Sequence, residues 1–162
     1  MKKVTLLAVL VLAVGLIAYA GEEAQWFDME NCAFCSNMCK NPELIDHMIW
    51  EHHNIANGML SITTVEPEFK APYTEAMDAM KKLGEAMEVG KVDMAELKLC
   101  GACQHYGTLE AAGAKSEYIF GEAADIFLMT SDDPELVKKI QEYGQRNNDE
   151  MAKMEAAKKK AE

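Results

Sequence analysis

Two Cys-x-x-Cys pairs, Cys32 with Cys35 in "ENCAFCSNMCKNPEL" and Cys100 with Cys103 in "KLCGACQHYG", restrict this chain more than any other feature. The same interval separates Cys32 from Cys100 and Cys35 from Cys103. A second landmark, the acid-Pro-Glu step of "TTVEPEF" and "TSDDPEL", repeats at nearly that interval, Pro67 to Pro134 falling one residue short. Two independent landmarks on one period mark an internal duplication, with one repeat unit over 30–92 and a second over 93–157.

Each unit reads as α-β-β-α and opens with its Cys-x-x-Cys. In the second, Met94, Leu97, Cys100, Cys103 and Gly107 recur at three- and four-residue steps, which predicts one helix with both cysteines on an apolar face. In the first, Asn41 as cap and Pro42 at the first helical position predict a helix restarting in "NPELIDHM". The stretches "GMLSITTV" and "ADIFLMT" are rich in β-branched and aromatic residues and read as strands. Asn57-Gly58 suits a type I′ hairpin turn after "IWEHHNI", or equally the end of a helix from Pro42. The second unit tips the choice towards hairpins, because "SEYIFGEAADIFLMT" with Gly121 inside it makes a poor helix. Each unit closes on a long helix, with Tyr73, Met77, Met80, Leu83 and Met87 along one and Leu136, Ile140 and Tyr143 along the other. The expected fold class is α+β, with strands of both units joined in one antiparallel sheet flanked by helices.

Residues 1–20, "MKKVTLLAVLVLAVGLIAYA", combine two lysines, an apolar run and an Ala-Tyr-Ala end, the pattern of a bacterial-type secretory signal. The run is short for a span, which takes about 20 apolar residues, so no membrane span is expected after cleavage. The expected location is the periplasm or the exterior. Residues 21–29 form an N-terminal segment, and 158–162 a frayed, charged tail. A formal charge of −11 disfavours nucleic acid and anionic lipid and leaves metal cations, or another exported protein, as partners.

Five cysteines in an exported chain imply disulfides, metal ligands or both. Two thiolates three residues apart span one edge of a tetrahedron, and a twofold relation between units brings the second edge opposite. That predicts a four-sulfur site of Cys32, Cys35, Cys100 and Cys103 for zinc, with copper(I) as the alternative. Cys39 falls on the face of Cys32 and Cys35 if that stretch is helical, and His52 or His53 in "EHHN" adds a nitrogen ligand. Covalent haem is not expected, because Ser36 and Gln104 stand where the attachment motif needs histidine. A thiol-disulfide redox protein cycling each pair, and a disulfide-stapled binding module, are the other readings of the same cysteines. Trp26, Phe27 and Phe34 flank the first pair as a cover for it. With no Ser-His-Asp order, phosphate loop or paired carboxylates, nothing positive points to an enzyme.

Overall fold

The computed structural model describes residues 24–161, so the expected signal over 1–20 lies outside the described residues. Along the chain come 3₁₀ turns at Cys35–Lys40 and Leu44–His47, strands β1 (Met48–Ile55) and β2 (Gly58–Val65), and a 3₁₀ turn at Pro67–Phe69 leading into helix α1 (Lys70–Glu88). A further turn at Met94–Glu96 precedes helix α2 (Gly101–Ala111), strands β3 (Lys115–Ile119) and β4 (Asp125–Thr130), and helix α3 (Pro134–Ala161). The four strands form one antiparallel sheet in the order β1-β2-β4-β3, so the expected α+β class and single sheet are what the chain adopts.

Register explains which side chains are buried. His52 pairs with Ser61, Asn54 with Met59, and Met59 with Met129, which puts His52, Ser61, Met59 and Met129 on one face. All four are buried, and α3 packs across β1 and β2. Leu136, Ile140 and Tyr143, spaced to share one side of α3, join Met59 and Met129 in the main core with Cys32 and Cys100. A second cluster of Met38, Leu44, Tyr73 and Ala76 seats α1 on the 3₁₀ turns, with Met77 and Met80 beside it.

Three local expectations are corrected. The helix foreseen at Asn41-Pro42 is replaced by short 3₁₀ turns. Asn41 is extended, at φ −108 and ψ 109, as a residue before proline prefers, and its Oδ1 accepts from the Glu43 N–H at 3.2 Å. The helix foreseen from Met94 through Cys103 begins only after Cys100, which is itself extended. The first hairpin turns at Ala56 and Asn57 rather than Asn57-Gly58, since Ile55 already pairs with Gly58. Gly58 is spent differently: at φ 155 it lies in the glycine-only region, and a side chain there would strike the Met129 carbonyl.

Gly84 is the counter-case. It sits within α1 with nothing within 4 Å of a would-be Cβ. Gly84→Ala is expected to stabilise the fold by about 0.5–1 kcal/mol, read as a raised urea midpoint at constant slope.

Candidate metal centre

Two different local structures carry the cysteine pairs. The first pair lies on a tight turn, where the Cys32 N–H donates to the Asp28 carbonyl and the Ser36 N–H to the Cys32 carbonyl, both at 3.0 Å. The second pair straddles the start of α2, Cys100 capping it and Cys103 lying in its first turn. A helix start leaves its first N–H groups without internal partners. Here the Gly101 N–H donates to the Gln25 carbonyl at 3.0 Å and the Ala102 N–H to the Trp26 carbonyl at 2.9 Å. The segment before Cys32 thus docks on the helix that carries Cys103. Glycine at 101 permits this, because a Cβ there would sit 3.0 Å from the Ala24 carbonyl and 3.2 Å from Trp26 Cα. The Ala33 N–H completes the link with a 2.8 Å bond to the Lys98 carbonyl.

All four sulfurs lie within 4.8 Å of one another. Cys32 and Cys103 are 3.5 Å apart, Cys35 and Cys100 3.7 Å, and Cys35 and Cys103 3.6 Å. A tetrahedral ion with metal–sulfur bonds of about 2.3 Å sets its sulfurs about 3.8 Å apart, close to these three contacts. A disulfide needs about 2.05 Å, and all five cysteines are free. The redox and stapled readings therefore find no formed disulfide, and all three short contacts run between the motifs rather than within one.

The four thiols do not ionise independently. The neighbouring thiols of Cys100, Cys103 and Cys35 hold Cys32 far below the usual thiol range, and the Cys35 N–H adds to them. The neighbouring Cys103 thiol draws Cys100 down to about 7, with the Cys103 N–H contributing. Cys35 is pushed up, chiefly by Cys100 beside it, as is Cys103. The first cysteine of each motif is shifted down and the second up.

Cys32 and Cys100 are 0% and 1% exposed, under Trp26 and Phe27, with Phe34 packed alongside. Cys39, His52 and His53 are not brought to the four sulfurs. The Cys39 thiol donates to the Met29 carbonyl at 3.4 Å, and burial pushes it up. His53 lies exposed, 3.7 Å from the Glu51 carboxylate. His105 stacks on Tyr143, with ring centroids 5.6 Å apart.

His52 belongs to a buried relay that sequence reasoning missed. Trp26 Nε1–H donates to Asn147 Oδ1 at 2.8 Å, and Asn147 Nδ2 lies 3.1 Å from His52 Nε2. Indole nitrogen only donates, so the Asn147 amide orientation is fixed, His52 Nε2 must accept, and the ring proton sits on Nδ1. That Nδ1 is buried with no partner among the described residues. The signal was available: Asn147 continues the Leu136, Ile140, Tyr143 stripe of α3, a polar residue on an apolar face. Asn147→Ala leaves two buried groups unpaired beside the metal cover and is expected to cost about 2–4 kcal/mol in denaturant unfolding.

Burial also lowers the His52 pKa to about 4 from an ordinary 6.5. The unfolded chain therefore binds this proton at higher pH than the folded one. The contribution is complete above pH 6.5, declines as pH falls from 6.5 to 4, and falls no further below, for a loss of about 3 kcal/mol. His52→Gln should flatten that part of the stability–pH curve, and unchanged steepness would show that His52 does not set it.

The chain matches no protein family, no curated protein and no solved structure. No described helix is long and apolar enough to cross a membrane.

Proposed function

We propose that this is an exported protein that holds one thiophilic ion, zinc in preference to copper(I), on Cys32, Cys35, Cys100 and Cys103. The observation that carries the reading is the set of four free sulfurs within 4.8 Å, with contacts of 3.5–3.7 Å across the two motifs. Four sulfurs this close enclose a single ion; a multi-iron cluster places several metal atoms between its thiolates and holds them further apart. The two motifs come from duplicated units, 30–92 and 93–157. Support for this is the central antiparallel pairing of β2 with β4, which sets the two hairpins side by side about a local twofold, each preceded by one cysteine pair and followed by a long helix. Export is carried by the signal pattern of residues 1–20, and a soluble acidic surface suits it.

Thiol-disulfide exchange is the second reading. It is favoured by one observation, the placing of Cys100 at a helix start with its thiol near 7. Elemental analysis of protein purified from the periplasm without chelator, with thiols counted before and after denaturation, separates the two. The metal reading expects about one zinc per chain and four cysteines that alkylate only once denatured. Four oxidised cysteines and no metal would sink it in favour of exchange chemistry.

A further inference from the structure

The two edges of the sheet are not alike. At the β1 edge, α3 side chains bond the backbone at two residues: Asn148 accepts from the His52 N–H at 3.1 Å and donates to the His52 carbonyl at 2.8 Å, and Gln141 donates to the Ile55 carbonyl at 2.8 Å. At the other edge, all five residues of β3 are exposed, and among the described residues no side chain bonds their backbone. Such an edge is a template for another strand unless something blocks it. Large apolar surface gathers there too, with Tyr118 50% and Phe120 64% exposed and their rings stacked at 6.1 Å.

We infer that β3 is the interface for a second copy of this chain, the two β3 strands pairing antiparallel about a twofold axis at Ser116 to make one eight-stranded sheet. The occupant is selected by charge. With Ser116 on the axis, Lys115 lies opposite Glu117 of the second copy, and Glu117 opposite its Lys115, giving two symmetric ion pairs. The small Ser116 meets itself on the axis, and Tyr118 lies opposite Ala114. Keeping the faces of the sheet aligned, the neighbouring registers set Lys115 against Lys115 on one side and Glu117 against Glu117 on the other. Both bring like charges together, which cross-strand pairs disfavour. The strand is therefore complementary to itself in one register and repelled in the adjacent two. Lys115 already contacts Asp132 at 3.0 Å, but both side chains are largely exposed, so exchanging that partner costs little. Nothing in this inference depends on the metal.

Sedimentation velocity over a concentration series tests it on the full mature chain. The wild type should pass from monomer to dimer with increasing concentration. Glu117→Lys alone, or Lys115→Glu alone, turns both ion pairs into repulsions and should raise the dissociation constant at least about tenfold. The double variant Lys115→Glu with Glu117→Lys restores both pairs in reversed order and should return it to within about threefold of wild type. Both positions are exposed, so neither change disturbs the fold. A wild type that stays monomeric at about 0.5 mM, single variants that dissociate like wild type, or a double variant without recovery would each overturn the interface; the first is the weakest-binding limit worth calling specific.

Discussion

Cys100→Ser is expected to lower zinc affinity more than about 100-fold, so that the variant is isolated without an ion. Cys100 is buried, caps the second motif's helix, and its sulfur lies 3.7 Å from that of Cys35 in the other motif. Losing it opens the tetrahedron where the two halves meet, and serine cannot replace a thiolate for a soft ion. Stability should follow metal. An ion present at about 1,000 times its dissociation constant contributes roughly 4 kcal/mol, so its removal from wild type should lower Tm by roughly 10–20 °C. Cys100→Ser should already lie near that lowered value and respond little to chelator. Inductively coupled mass spectrometry and calorimetry with and without chelator check both parts. Metal content that survives the substitution unaltered would refute a site shared by the two motifs. Cys39→Ser, which alters a thiol bonded to the Met29 carbonyl, serves as the control that keeps its metal.

Gly58→Ala is the largest effect expected away from the sulfurs, a loss of at least about 4 kcal/mol. Two costs fall on one methyl group. At φ 155 the backbone is strained for any L side chain, and the methyl would enter the Met129 carbonyl while sitting 2.9 Å from Thr130 Cα. Strand β2 must then part from β4, the pairing that joins the two hairpins. Urea unfolding would register this directly, and a change within 1 kcal/mol of wild type would mean that β2 and β4 do not approach as closely as described. Gly84→Ala, the same substitution in open space, is expected to have the opposite sign, so the pair separates backbone geometry from residue type.

Both long helices, the four strands and the grouping of Cys32, Cys35, Cys100 and Cys103 were legible because each rests on a repeating local signal. The α3 stripe of Leu136, Ile140 and Tyr143 has helical spacing, and "GMLSITTV" and "ADIFLMT" are dense in side chains that fit a pleated, half-buried surface. The equal intervals between the cysteine pairs raised the expectation of a joint site before any geometry. Element starts were less legible. The helix at Cys100 begins where it does because the carbonyls of Gln25 and Trp26, more than seventy residues earlier in the chain, take its first N–H groups. No local pattern around Met94 to Cys103 carries that information.

His52 shows the same division at a single residue. Its place beside His53 near the cysteine motifs made it a candidate ligand, yet the partner that claims its ring is Asn147, held in turn by Trp26. Residue types and spacing thus determined that four thiols were available in two pairs and that an antiparallel sheet would form. Tertiary structure decided how the two pairs are docked together, that Cys39 stays apart from them, and that the nearby histidine serves the core. The reason is physical: periodicity reports the face of an element, whereas ligand sets and buried polar partners depend on contacts between segments distant in sequence, made only when the chain has closed upon itself.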